Sequence, residues 1–237
     1  MRCADKLYRA PVAILVLIFC TSMIFLIYQP GLNGSFLLDD RHNIEVNEDI
    51  KINDLSLGSL SAAWSAGKTG GLGRPISALS FALTQFFMDG SAYSYKITNV
   101  VLHMVNMLLV MGFVIALLRF WRDTHQLILS GRQIILLGGV IGFLWALHPL
   151  QVSTVLYAVQ RMAILSSLFT VAALWLYITW RTRLAKKGIF RWVAPVFLII
   201  LVALGVLSKE SAILFFGFIG VLIGYIWASL GVRAPFL

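Results

Sequence analysis

Six apolar runs constrain this chain more than any motif in it: Pro11–Tyr28, Ile97–Leu118, Ile134–Leu147, Met162–Trp180, Trp192–Leu207 and Ala212–Leu230. A helix needs about 20 apolar residues, with a range of about 17–25, to cross a bilayer. Four of the runs meet that length. Ile134–Leu147 and Trp192–Leu207 are shorter and are expected to extend into the polar residues that follow them. A seventh stretch, Pro75–Met88, carries Ser77, Ser80, Thr84 and Gln85, and reads as an amphipathic or re-entrant helix rather than a span. The expected fold class is all-α: a polytopic integral membrane protein, one membrane domain over residues 1–237, with six transmembrane helices and a long first outer loop, residues 29–96. Composition agrees, since 59% of residues are hydrophobic and 12% charged, against roughly 45–50% and about 25% in soluble domains. Soluble, disordered and disulfide-stapled secreted chains are thereby excluded. Cys3 and Cys20 would lie about 25 Å apart along one helix, too far to bridge.

The net charge of +9 raises the question of nucleic acid, and its distribution answers it. Arg2, Lys6, Arg9, Arg119, Arg122, Arg132, Arg181, Arg183, Lys186, Lys187, Arg191 and Arg233 all fall on one side of a six-span arrangement, opposed only by Asp5 and Asp123. The positive-inside rule then puts both termini in the cytoplasm of a cell (inner) membrane, and no nucleic-acid partner is needed. The first run lacks a small-residue cleavage site, so it reads as an uncleaved anchor rather than a signal peptide.

Residues 29–74 form the long polar segment, which this topology places on the periplasmic or extracellular face. Six of the ten acidic residues lie between Asp39 and Asp54, led by Leu38-Asp39-Asp40-Arg41. Adjacent carboxylates repel, so a desolvated member has a raised pKa and suits a general base. The pair could equally ligate a divalent metal such as Mg or Mn, or simply belong to a solvated acidic loop. The segment closes on Gly70-Gly71-Leu72-Gly73-Arg74-Pro75, where Arg74 either binds phosphate or snorkels. Asn33-Gly34-Ser35 fits an N-glycosylation sequon, which matters only in a eukaryotic lumen.

Polar residues inside apolar runs are costly and are functional candidates. Asn99, His103 and Asn106 share one helix face, which suits interhelical hydrogen bonding for the asparagines and leaves His103 open between that and headgroup contact. Pro149 stops the third run and exposes His148. Gln160-Arg161 opens the fourth run, and an arginine there needs an anionic partner, either a carboxylate or a phosphate. Lys209-Glu210 ends the fifth run, as a self-contained pair or a boundary marker. Asp39, Asp40, Arg74, His103, His148, Gln160, Arg161, Lys209 and Glu210 all fall at the same face, a plausible setting for a lipid with an anionic headgroup. Polar residues along the full depth of a channel, and the inverted repeats of a transporter, are not seen.

Leu38-Asp39-Asp40-Arg41 with Asn43 and Asn47, Gly73-Arg74-Pro75-Ile76, Asn99-Val100-Val101-Leu102-His103, Leu147-His148-Pro149-Leu150-Gln151, Val159-Gln160-Arg161-Met162 and Leu207-Ser208-Lys209-Glu210 occur in that order. Together they resemble the membrane module of the transmembrane and tetratricopeptide-repeat protein O-mannosyltransferases, especially bacterial relatives, within the GT-C glycosyltransferases. The resemblance runs from about residue 10 to 230. It implies a polyprenyl-phosphate sugar as donor substrate, an acceptor protein or glycan, and a catalytic Asp in the first outer loop, carried to Asp39 and Asp40 without choosing between them. Arg161 first, then Arg74 and Lys209, are the expected cations for the donor phosphate, with His148, Gln160, His103 and Glu210 around the headgroup. Full-length relatives continue into more spans and a tetratricopeptide domain, so a partner subunit is expected to supply the rest if the chain is not truncated. The runner-up expectation is a non-catalytic, lipid-headgroup-binding membrane subunit of the same fold, and the third a transporter.

Overall fold

The computed structural model describes residues 9–67, 71–125, 128–183 and 188–230, and the side chains of these apart from 9–14, 125, 183 and 225–230. Arg2, Cys3, Asp5, Lys6, Gly70, Lys186, Lys187 and Arg233 lie outside the described residues, as does the 231–237 tail. The described chain is all-helical: α1 (Arg9–Tyr28), α2 (Leu57–Ser65), α3 (Pro75–Phe87), α4 (Ala92–His125), α5 (Gly131–Leu147), α6 (Gln151–Leu156), α7 (Arg161–Arg183), α8 (Phe190–Ser208) and α9 (Leu214–Leu230), with short helical turns at Gln29–Gly31, Arg41–Glu45, Glu48–Ile50, Ala158–Gln160 and Glu210–Ile213. Among the described residues, three helical stretches are long and apolar enough to cross a membrane: Ala92–Thr124, Ala158–Thr182 and Phe190–Ser208. Leu15–Gly31, Pro75–Phe87, Gly131–Leu147 and Glu210–Gly224 are shorter apolar helices. The chain is an all-α membrane protein.

The expected extension of the third run into its following residues is corrected. His148 and Pro149 end α5 at Leu147, and the helix gains length at its start instead, over Gly131-Arg132-Gln133. The reason is local: Ser130 accepts the Gln133 N–H while Gln133 caps the Ser130 N–H in return, a reciprocal capping box that fixes the helix start. The fifth run grows at both ends, to Phe190 and Ser208.

Helix α4 is the spine. It packs against α5 and α7, α7 packs in turn against α8, and α1 and α6 close over the Asn99 end of α4. Gly138 and Gly142 of α5 face α4 one turn apart, and a Cβ at either would run into Ile115 or Met111. Small residues four apart let two helix backbones approach inside a membrane, where lipid offers apolar side chains no penalty to escape. The polar segment after α1 is not a loose acidic loop. Ile44, Ile50, Ile52 and Ala63 share one core with Ala78, Phe81, Tyr95 and Met162. Of its six acids only Asp40 is buried; Asp39, Glu45, Glu48, Asp49 and Asp54 face outward. Helix α3 lies across this core, burying Ser77, Ala78, Phe81, Ala82 and Thr84. At 13 residues it measures about 20 Å, shorter than the roughly 30 Å hydrocarbon layer.

Candidate functional site

Two carboxylates that are neighbours in sequence have opposite fates. Asp40 is fully buried, with Oδ1 accepting the Val159 N–H at 2.6 Å and Oδ2 accepting the Leu37 N–H at 3.0 Å. Burial raises its pKa above the ordinary range, while the amides of Leu37, Val159 and Ala158 and the Lys96 charge pull the other way. Asp39 is exposed, and its own N–H donates to the Tyr157 hydroxyl at 2.8 Å. The backbone enters the pair through Leu38 at φ +39°, in the left-handed region that a leucine pays roughly 1–2 kcal/mol to occupy. The Asn43 side chain holds the Asp39 carbonyl at 2.9 Å, within a single π-helical turn closed by the Val46 N–H on the Arg41 carbonyl. Asn47 ties that turn to the Ala66 carbonyl at 3.0 Å. Asn43 and Asn47 therefore hold the loop in shape. Lys96, which the sequence did not single out, is buried at the start of α4 and grips the carbonyls of Gly31, Gly34 and Ser35.

The second group forms where α3, α7 and the α8–α9 junction meet. Gly73 (φ +69°) and Arg74 (φ +48°) make the turn into α3, both in left-handed backbone just before Pro75, the first residue of the helix. That turn aims the Arg74 guanidinium at Glu210: Nε to Oε2 is 3.0 Å and a terminal nitrogen lies at 2.9 Å. Lys209 Nζ meets Gln160 Oε1 at 3.5 Å and, among the described residues, has no carboxylate within ion-pair distance. Burial, then the Arg74 charge, holds the Lys209 ammonium below the usual lysine range, with Glu210 opposing. Glu210 Oε1 is shielded from solvent and has no hydrogen-bond partner among the described residues. Thus Arg74, Gln160, Lys209 and Glu210 come together, and the segment Tyr157–Gln160 carries both groups: Tyr157 and Val159 hold Asp39 and Asp40, and Gln160 reaches Lys209.

Beside Lys209 a groove of about 510 Å³ runs between α7 and α9. Ser166 and Ser211 lie at its Lys209 end, 3.3 Å apart, and Val171, Leu174, Phe218 and Val221 line it further along. It is mostly apolar, and Ser166 Oγ at its end donates to the Lys209 carbonyl at 3.4 Å.

Arg161, expected first among the phosphate ligands, is placed elsewhere. It is completely buried and donates to Asn99 Oδ1 at 2.8 Å, Thr84 Oγ1 at 2.7 Å, the Ser80 carbonyl at 3.0 Å and the Tyr95 carbonyl at 2.9 Å. Its guanidinium carbon lies 5.1 Å from the Phe81 ring centroid and 5.3 Å from that of Tyr95. The expectation that it needs an anion is corrected: neutral acceptors on α3 and α4 and two aromatic faces satisfy it. His103 is likewise interior, with Nε2 at 2.9 Å from the Ala146 carbonyl and its ring between Tyr28 and Trp145. Asn99 and Asn106 make the interhelical bonds expected of them, to Val155, Ala158 and Ile164 carbonyls. His148 accepts the Leu150 N–H at 3.3 Å in the turn after α5, and no side-chain hydrogen bond or ion pair among the described residues joins it to either group. The described residues gather no set of three His, Cys, Asp or Glu able to hold a metal ion, and both Asp40 oxygens are engaged by amides. A metal held by Asp39 and Asp40 does not fit this geometry.

The chain is 29% identical over 209 residues to the Drosophila melanogaster Protein O-mannosyl-transferase Tmtc2, and 28% identical over 203 residues to Tmtc1 of the same organism. These matches cover 83% and 82% of the chain but 20% and 21% of the relatives, so it spans about a fifth of the length of the curated proteins it matches. No family model and no solved structure matches. The relationship to these O-mannosyltransferases is distant.

Proposed function

We propose that the chain carries the donor-side site of a GT-C-type glycosyltransferase, moving a hexose, with mannose the first to test, from a polyprenyl-phosphate carrier to an acceptor hydroxyl. The observation that carries this reading is the shared Tyr157–Gln160 segment, which holds an exposed carboxylate, Asp39, on one side and, on the other, the Lys209 ammonium, which has no ion-pair partner among the described residues. Asp39 is the base, because a group with no exposed surface, such as Asp40, cannot reach an acceptor. Asp40 is the positioning residue that fastens the loop. The acceptor hydroxyl gives its proton to Asp39 as its oxygen bonds to the anomeric carbon. The bond from that carbon to the phosphate oxygen breaks, and the charge developing on the leaving phosphate meets Lys209. Glu210 Oε1, with no hydrogen-bond partner among the described residues, accepts a sugar hydroxyl, while Arg74 fixes that carboxylate in place. The groove beside Lys209 takes the first part of the isoprenoid chain. The charge bias of the connecting segments favours a site on the non-cytoplasmic face of a cell membrane, with both termini inside.

The test is release of polyprenyl phosphate from polyprenyl-phosphate mannose by the purified protein, read by mass spectrometry, with membranes of the producing cells as the acceptor source. Activity lost in Asp39→Asn with donor binding retained supports the reading. Donor binding without release in the wild type identifies a headgroup-binding subunit instead. Neither binding nor release sinks both.

A further inference from the structure

A second, larger cavity lies at the other end of the bundle, where the transfer reading assigns nothing. It measures about 800 Å³ and runs between α4 and α7, with Ile135 of α5 and Phe190 of α8 at its margins. Its inner end is apolar, at Gly112, Ala116 and Ala172; its mouth carries Arg119, Asp123 and Thr182. From Gly112 to Asp123 it follows about 16 Å of α4. Trp175 forms one wall, and it fits because position 112 is glycine: a Cβ there would press into the indole.

Charge at the mouth is one-sided. Asp123 is spoken for by Arg122, whose Nε and terminal nitrogen both lie 2.9 Å from Oδ1. Arg119 has no carboxylate within ion-pair distance among the described residues, and Arg181 stands close by, beside Phe120 and Ile178. Trp180 lies near the end of α7 and Trp192 near the start of α8, and aromatic side chains at the ends of membrane helices mark a headgroup layer. A chamber that is apolar inside, cationic at its rim and level with the headgroups has the polarity gradient of a lipid. Basic pockets between membrane helices are sites for anionic headgroups.

We propose that this cavity binds an anionic phospholipid, its phosphate on Arg119 and an acyl chain lying between α4 and α7. The site stands independently of glycosyl transfer.

The experiment is native mass spectrometry of the delipidated, detergent-purified chain titrated with phosphatidylglycerol or phosphatidylcholine. Wild type is compared with Arg119→Gln, Ala172→Phe and Lys51→Gln, the last an exposed lysine of the outer segment paired with Glu48. One arginine at a membrane surface contributes about a five-fold preference for the anionic lipid. That preference should disappear in Arg119→Gln, retention of either lipid should fall in Ala172→Phe, and Lys51→Gln should leave both unchanged. Equal retention of the two lipids by the wild type overturns the proposal, as does a preference that survives Arg119→Gln or is lost in Lys51→Gln. Should Ala172→Phe fail to fold, Ala116→Leu fills the same chamber with a smaller side chain and is read in the same way.

Discussion

Replacing Arg161 with methionine separates two roles for the same residue. The structure makes it the cross-brace between α3, α4 and α7, with four hydrogen bonds and two ring contacts and no exposed surface. Methionine keeps much of the stem but orphans four acceptors. The Ser80 and Tyr95 carbonyls retain helical partners, so the loss sits at the low end of the range, about 1 kcal/mol per bond. The two ring contacts add about 1 kcal/mol each. Against these roughly 6 kcal/mol stands the release of a buried charge, which returns several kcal/mol. The net expectation is a loss of about 2–4 kcal/mol, or roughly 4–16 °C in Tm for a chain of this size. Thermal unfolding in detergent, followed by tryptophan fluorescence, measures it. Donor binding extrapolated to temperatures where the variant is folded should be within a few-fold of wild type. A variant with unchanged Tm and abolished donor binding would refute the brace and restore Arg161 as a phosphate ligand.

Asp40→Asn turns one acceptor into a donor facing the Leu37 or Val159 amide, and should cost about 2 kcal/mol and several degrees of Tm; Asp39→Asn, changing an exposed side chain, should leave the same melting curve in place. Lys209 is held below the ordinary lysine range and is needed charged, so donor binding should weaken as pH rises through that lowered value, sooner than for an exposed lysine. Lys209→Arg should move the alkaline limb upward, since a guanidinium stays protonated, and isothermal titration across pH 7–11 reads the difference, a span of about four units around the lysine range. The Asp54 pKa is lowered to about 2 by the Ser56 and Ser59 hydroxyls and the Ser56 amide. Because the folded value lies below the unfolded one, its support of α2 is present above about pH 4 and lost as pH falls toward 2. Pepsin nicking of residues 54–60 should therefore rise over that interval, and Asp54→Asn should flatten the dependence.

The helices were legible because their signal is one-dimensional. Apolar length marks α1, α4, α5, α7, α8 and α9 without knowledge of neighbours, and the polar residues Ser77, Ser80, Thr84 and Gln85 did not hide α3. Asn99 and Asn106 were legible for a related reason: an amide on an apolar helix face must bond across to another helix. The roles of Asp39 and Asp40 were not, because burial separates them and burial comes from Val159, more than a hundred residues away. Arg161 was misjudged on the same account. Sequence shows that a buried cation needs partners but cannot show that carbonyls on α3 and α4 will converge on it. Lys96 sat in plain view at the start of an apolar helix, where a lysine ordinarily snorkels to water, and only the fold reveals the three carbonyls around it. The Gly138–Gly142 spacing was a readable signal for the close α4–α5 approach.

The hydrogen bonds from Asp39 to Tyr157 and from Val159 to Asp40 join positions 118 and 119 residues apart. A ribosome has made α1, the polar loop, α4 and α5 before the segment that organises the two carboxylates exists. Closing so distant a contact is slow compared with local helix formation. A nascent chain therefore passes through a stage in which the helices before Tyr157 are formed and the 29–74 segment lacks its anchor. During that interval the loop is a substrate for proteases rather than a part of a site, and substitutions at Tyr157 or Asp40 should be felt first as lower yield of the protein in the membrane.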